Sequence, residues 1–130
     1  MPYDYLLIMA GAVLGANARY LVSLWAARRY GPEFPLGTFL VNVSGSVLLG
    51  FIAALAVQWP VGAVLTPFFA IGFCGSYTTF STLAYETVAL ARRGSYQAAL
   101  ANIFASMLLG VAGAALGSAL AGILASGGMR

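Results

Sequence analysis

Four long apolar stretches follow one another along the chain, and they limit its fold more than any other feature. They cover approximately residues 5–27, 36–59, 61–91 and 96–124. Each stretch is at least as long as the roughly 20 residues that an α-helix needs to cross a bilayer. Only 7% of the residues are charged and 62% are hydrophobic, so a soluble domain of this length would lack a polar surface. The sequence therefore predicts an all-α integral membrane protein, with residues 1–130 forming a single domain of four transmembrane helices.

The residue types that the chain lacks exclude most enzymes. It contains no histidine, and its single cysteine, Cys74, lies within an apolar stretch. Histidine acid–base catalysis, a zinc site built from clustered ligands and an intramolecular disulfide are therefore excluded. We predict that the protein is not an enzyme.

The basic residues are placed for a membrane and not for a nucleic acid. All of them are arginines, and four form the pairs Arg28–Arg29 and Arg92–Arg93 at predicted helix ends. Arginines in such positions interact favourably with anionic lipid headgroups. We therefore expect the lipid bilayer as a partner, and no nucleic acid.

The third stretch is too long for one straight crossing. As a continuous helix, residues 61–91 would be roughly 45 Å long, against roughly 30 Å of hydrocarbon. Their centre, residues 72–82, is rich in glycine and hydroxyl side chains and poor in helix formers. We expect a break there, because broken helices at membrane depth are found where the helix ends face ions. The alternative is an unbroken helix in which Ser and Thr hydroxyls bond to the preceding turn.

Small residues recur at a spacing of four in three of the stretches. The pairs are Gly11 and Gly15, Ser46 and Gly50, Gly113 and Gly117, and Ser118 and Gly122. In lipid this spacing lets helix backbones approach closely, although it does not say whether the partner helix belongs to the same chain. Because four helices enclose little volume for an aqueous path, we expect an oligomer.

Two pairs of polar residues lie within the apolar stretches at a spacing of four. Thr38 and Asn42 share one face of the second helix, and Asn102 and Ser106 share one face of the fourth. Such hydroxyl and amide groups could line a pore. They could equally form hydrogen bonds that hold the helices together, and the sequence leaves both interpretations open.

Three further residues are unusual at membrane depth. Arg19 could stabilise an anion, or its long side chain could reach the membrane surface, which we favour. Glu86, on one helical face with Thr82, could be a proton-coupled carboxylate or a hydrogen-bonded structural group. The electropositive ring edge of Phe80 could contact a small anion, although phenylalanine is also an ordinary core residue.

Three segments together resemble the Fluc (CrcB) fluoride channel family. They are GANARY at residues 15–20, GTFLVN at 37–42 and GFCGSYTTFST at 72–82, with Glu86 following. The third segment is the most specific, and the resemblance covers nearly the whole chain. It implies a multi-pass protein of the prokaryotic plasma (inner) membrane that lets fluoride leave the cell passively and rejects chloride. It also implies an antiparallel dual-topology dimer with two pores, formed by a second copy or by a homologous partner chain.

The same resemblance implies roles for individual residues. A structural sodium ion at the centre of the dimer would be held by the backbone carbonyls of Gly75 and Thr78. Arg19 and Glu86 would have structural or electrostatic roles. The fluoride pathway would contain Thr38, Asn42, Phe80, Ser81, Thr82 and Ser106.

The chain departs from the family pattern at three positions. Leu83 stands where the family usually has a second phenylalanine, Ser76 replaces one glycine of a pair, and Asn102 replaces a tyrosine found in some members. Phe80 and Leu83 lie three apart and so share one helical face. We therefore expect Leu83→Phe to preserve or raise fluoride flux, provided that the packed helices accept the added volume.

Two other functions fit parts of the pattern. A small proton-coupled multidrug or cation exporter is also built from four short helices, and Glu86 would be its only available carboxylate. A structural membrane subunit without ion flux would use its Ser, Thr and Asn side chains only to join helices.

Overall fold

The computed structural model describes residues 2–31, 34–59 and 62–127, and nearly all of these residues are helical. The predicted start of the third stretch, residue 61, lies outside the described residues. In chain order the elements are α1 (Pro2–Tyr30), α2 (Leu36–Gln58), α3 (Gly62–Leu65), a π-helix (Thr66–Cys74), α4 (Gly75–Tyr77), α5 (Phe80–Arg92) and α6 (Tyr96–Gly127).

Four helical stretches are long and apolar enough to cross a membrane. They are Tyr3–Tyr30, Leu36–Val57, Gly62–Arg92 and Tyr96–Ser126. Large hydrophobic side chains such as Leu21, Leu108 and Val111 are exposed along them. Such surfaces suit a bilayer, because acyl chains are as apolar as these side chains. The predicted all-α architecture with four long apolar helices is confirmed.

A glycine turn joins α5 to α6. Gly94 has a φ of +80°, a left-handed conformation that glycine adopts without strain. Its N–H donates to the carbonyl of Ala91, and the N–H of Ser95 donates to that of Leu90, both at 3.0 Å. This is a Schellman motif, which satisfies the last carbonyls of α5 and reverses the chain into α6.

The backbone of the third span departs from a regular α-helix in two places. The π-helix, which contains Pro67 near its start, is followed by the single turn of α4. Thr78 (φ −78°, ψ 158°) and Thr79 (φ −151°, ψ 118°) are then extended, and they interrupt the helical backbone before Phe80. Thr79 is the N-cap of α5, because its hydroxyl accepts a hydrogen bond from the N–H of Thr82 at 3.2 Å.

Two glycines let α1 lie directly against the π-helix. A β-carbon on Gly11 would collide with the carbonyl oxygen of Phe68, and one on Gly15 with that of Phe73. The small residues at this spacing therefore bring two backbones of the same chain into contact.

Helices α2 and α6 approach each other in the same way. A β-carbon on Gly50 would collide with the carbonyl oxygen of Ala114, and one on Gly117 with that of Val47. The hydroxyl of Ser118 also donates a hydrogen bond to the carbonyl of Gly50 at 3.1 Å. The partner of these small residues, which the spacing alone left open, thus lies in the same chain.

Candidate functional site

The side chain of Asn42 holds the interrupted backbone of the third span. Its Nδ2 donates to the carbonyl oxygen of Thr79 at 3.0 Å, and its Oδ1 accepts from the Thr79 N–H at 2.8 Å. In a continuous α-helix that N–H would donate to the carbonyl of Gly75. Asn42 therefore satisfies both backbone polar groups of Thr79, and it forms the kind of bond between helices that was one of its two predicted roles.

The same interruption leaves backbone carbonyl groups at the end of α4. The carbonyl of Gly75 lacks its helical donor, the Thr79 N–H, and this glycine is exposed with nothing within 4 Å of a β-carbon position. The N–H and the hydroxyl of Thr78 both donate to the carbonyl of Cys74, at 3.0 and 2.9 Å. The carbonyl of Thr78 itself therefore lies just beyond the last turn of α4. Carbonyl oxygens at a broken helix are suitable ligands for a hard cation. Among the described residues no three His, Cys, Asp or Glu side chains come together, so a cation here would depend on such oxygens.

Another hydrogen bond between helices joins Thr38 of α2 to Glu86 of α5. The buried Thr38 hydroxyl donates to Glu86 Oε1 at 2.8 Å. The other carboxylate oxygen, Oε2, is buried and has no hydrogen-bond partner within the described parts of the chain. Glu86 is thus linked to the neighbouring helix, while Thr82, which precedes it on the same face, contacts Thr79.

Two adjoining cavities lie between α1, α2 and α5. We call the first the outer cavity; it has a volume of about 360 Å³, contains Thr38 and Glu86, and is bordered by the connection from α1 to α2. The second, the Arg19 pocket, has a volume of about 420 Å³. The two have three lining residues in common, Ser23, Thr38 and Thr82.

A third cavity, the Asn42 pocket, lies at the interruption. It has a volume of about 230 Å³ and is lined by Asn42, Thr78 and Phe80 among others. Thr79 lines both this pocket and the Arg19 pocket. A row of hydroxyl, amide and guanidinium groups therefore extends from one end of the helices to the extended residues of the third span.

The Arg19 pocket has the composition of an anion site. The half-buried Arg19 shares it with the hydroxyls of Ser23, Ser81 and Thr82. The Thr79 hydroxyl donates to Thr82 Oγ1 at 3.0 Å and lies 3.3 Å from Ser81 Oγ. Hydroxyl groups can rotate to donate to an anion, and guanidinium N–H groups form strong hydrogen bonds to it.

Phe80 and Leu83 lie in different surroundings, although both were predicted to share one face. Phe80 is 76% exposed, whereas Leu83 is 5% exposed. The expectation for Leu83→Phe depended on the helices accepting the added volume, and position 83 is packed, so a larger ring there would displace its neighbours. The effect of this substitution on flux stays a prediction.

Asn102 and Ser106 are buried and do not line any of the three cavities. Asn102 is 0% exposed, and its Nδ2 donates to Thr87 Oγ1 at 3.0 Å. Thr87 in turn donates to the carbonyl of Leu83 at 2.8 Å. Asn102 Oδ1 and Ser106 Oγ have no hydrogen-bond partners among the described residues. The fold of this chain therefore does not bring Ser106 to any of the three cavities.

Comparisons with known proteins identify the family. The sequence profile of the family described as "CrcB-like protein, Camphor Resistance (CrcB)" matches residues 6–118. The chain belongs to the CrcB family. It is 42% identical over 118 residues to the fluoride-specific ion channel FluC of Roseiflexus sp. (strain RS-1), covering 90% of this chain and 95% of the relative. It is 41% identical over 125 residues to fluoride-specific ion channel FluC 1 of Nitrobacter hamburgensis, covering 95% of each. It is 48% identical over 104 residues to the FluC of Anaeromyxobacter dehalogenans, covering 79% of this chain and 82% of the relative.

The predicted resemblance is thus confirmed, and this CrcB protein is a multi-pass membrane protein. Most of the residues singled out from the sequence meet in the three cavities: Arg19, Thr38, Asn42, Thr78, Phe80, Ser81, Thr82 and Glu86.

Sequence reasoning missed two groups of this CrcB site. Ser23 lies four residues after Arg19 and so on the same face of α1, a signal that was available in the sequence. The backbone groups of Thr79 gave no signal, because every non-proline residue carries the same N–H and C=O.

Proposed function

We propose that this CrcB protein is a fluoride-selective ion channel that lets cytoplasmic fluoride leave a prokaryotic cell passively through its plasma membrane. The observation that carries this function is family membership over residues 6–118, with relatives that are named fluoride-specific ion channels. The exit of fluoride lowers its concentration in the cell and hence its toxicity.

A flux measurement tests this function. Purified protein is reconstituted into liposomes loaded with fluoride, and release is followed with a fluoride electrode, with chloride-loaded liposomes as the control. We expect fluoride to leave and chloride to remain. Fluoride release no faster than from protein-free liposomes would refute the function, and equal release of chloride would refute the selectivity.

The path that we propose runs through the outer cavity, the Arg19 pocket and the Asn42 pocket. Fluoride would lose its water in exchange for hydrogen bonds from hydroxyls such as those of Ser81 and Thr82, near the positive charge of Arg19. The Asn42 pocket adds the amide of Asn42 and the ring edge of Phe80, which is electropositive. Several weak donors in series suit conduction, because an ion must bind at each position and also leave it.

A second subunit would complete the Asn42 pocket. Phe80 is 76% exposed although it lines this pocket, and Gly75 is exposed nearby, so one subunit leaves both residues uncovered. We propose an antiparallel dimer with a second copy, or with a homologous chain, against this surface, in which Ser106 would also contribute to the path. Cross-linking of the protein in detergent should give a dimer band, and a purely monomeric protein that conducts fluoride would contradict this arrangement.

A structural sodium ion would fit the carbonyls of Gly75 and Thr78. At this position it would neutralise the partial negative charge of the helix end and join the two subunits. Replacing sodium with a large organic cation should weaken the dimer on a size-exclusion column without any need for a sodium gradient. Fluoride transport that depends on the sodium gradient would show that sodium is a coupled ion and not a structural one.

A further inference from the structure

The outer end of the outer cavity carries an arginine. Arg93 caps the C-terminus of α5, is exposed, and lines the outer cavity together with Glu86 and Thr38. Arg93 and Glu86 lie seven residues apart, which is two helical turns on one face and roughly 10 Å along the axis. Glu86 is the one carboxylate among the described residues that line this cavity, and it accepts a hydrogen bond from Thr38.

The apolar wall of the outer cavity allows the positive charge of Arg93 to act on an anion over a longer distance. Much of it is apolar, with residues such as Ala26, Leu36 and Leu90. Low-dielectric walls concentrate an electric field within a cleft and raise the local concentration of ions of opposite sign. The carboxylate of Glu86 lies deeper in the same cavity and would by itself repel an anion.

We propose that Arg93 is an anion-attracting residue at the mouth of the path, which raises the fluoride concentration in the outer cavity and offsets repulsion by Glu86. This inference rests on the proposed fluoride function. In this role Arg93 attracts fluoride electrostatically without having to contact it. The fluoride concentration in the outer cavity therefore depends on the charge at position 93 and on ionic strength, and not on a particular hydrogen bond.

The neighbouring arginine provides a matched control. Arg92 carries the same charge at the same helix end, but it does not line the outer cavity. It lines a separate surface groove along α5, next to Ala84 and Val88. Arg93 lines both. Arg92→Gln and Arg93→Gln therefore lower the net charge by the same amount. Only Arg93→Gln removes a charge from the lining of the outer cavity.

The test is fluoride flux at low and high ionic strength, with fluoride well below saturation. Wild type, Arg92→Gln, Arg93→Gln and Arg93→Lys are reconstituted in vesicles of phosphatidylcholine alone, which removes any contribution of anionic lipid. At about 0.01 M inert salt, a unit charge about 7 Å from an anion changes its local concentration about twofold. At about 1 M salt, where the screening length is about 3 Å, the same charge changes the local anion concentration by only about 10%.

We expect Arg93→Gln to reduce flux about twofold or more at low salt and to match wild type at high salt. Arg93→Lys should restore the flux, and Arg92→Gln should have a smaller effect. Equal low-salt flux of the two glutamine variants would overturn the role of Arg93. A loss that persists at high salt, or that lysine does not restore, would also overturn it and indicate a structural role. A wild type that carries no fluoride would instead refute the channel function itself.

Discussion

Replacing Asn42 with alanine tests whether this side chain holds the third span together. The change removes both hydrogen bonds to Thr79 and leaves its N–H and C=O without the side-chain partner that each has now. A hydrogen bond contributes about 0.5–1.5 kcal/mol net, and an unsatisfied buried group costs about 1–3 kcal/mol. Because the bonds are only partly buried, water can replace part of them, and we expect the free energy of unfolding to fall by about 2–3 kcal/mol.

Ser46→Ala is the matched control for this change. Ser46 lies one turn further along α2, also lines the Asn42 pocket, and donates only to the carbonyl of Asn42 in its own helix, at 2.8 Å. Both variants are unfolded in detergent micelles by adding SDS, and helix loss is followed by circular dichroism. Ser46→Ala should stay within about 0.5 kcal/mol of wild type. If Asn42→Ala unfolds at the same SDS fraction as Ser46→Ala, the structural role of Asn42 is refuted.

Three further predictions concern the third and fourth spans. Phe80→Ile should abolish fluoride flux in liposomes but change the thermal midpoint in detergent little, since apolar swaps that nearly conserve volume usually cost less than about 1.5 kcal/mol; normal flux would exclude the ring from the path. Leu83→Phe should lower that midpoint, because overpacking costs about 1–3 kcal/mol; a stable variant with raised flux would instead support a second ring in the path. Gly117→Ala should lower the midpoint by forcing a β-carbon against the carbonyl of Val47, whereas Gly122→Ala meets nothing within 4 Å and should not. Equal midpoints for the two glycine variants would contradict the close packing of α2 and α6.

The four helices could be predicted because a bilayer leaves an apolar segment few alternatives. Its backbone groups must bond within the segment, so a long apolar stretch indicates a helix. The helix ends were less predictable: α1 extends to Tyr30 and α6 to Gly127, beyond the apolar stretches, because a helix can continue past the hydrocarbon into the headgroup region. The π-helix from Thr66 to Cys74 was not predicted, since its hydrogen-bond pattern has no clear sequence signal.

The sequence singled out many of the polar residues that line the three cavities, but not the contacts that they make. The spacing of Thr38 and Asn42 places both on one face of α2, and in the structure both bond to the third span. Spacing does not identify the partner, so the sequence could not reveal that Thr38 meets Glu86. Spacing also says nothing about burial, which depends on what packs against each turn. That is why Phe80, the first residue of α5, is exposed while Leu83 is buried one turn later.

The two roles that the sequence offered for Asn42 do not exclude each other. A side-chain amide has two N–H donors and two acceptor lone pairs. Thr79 uses one donor and one lone pair, so a second N–H of Asn42 is left where this residue lines the Asn42 pocket. The bonds to Thr79 fix the plane of the amide, and a fixed donor does not have to be ordered again when an anion arrives. The structural role would therefore prepare the amide for contact with the ion, and in Asn42→Ala the loss of stability and the loss of fluoride flux should occur together.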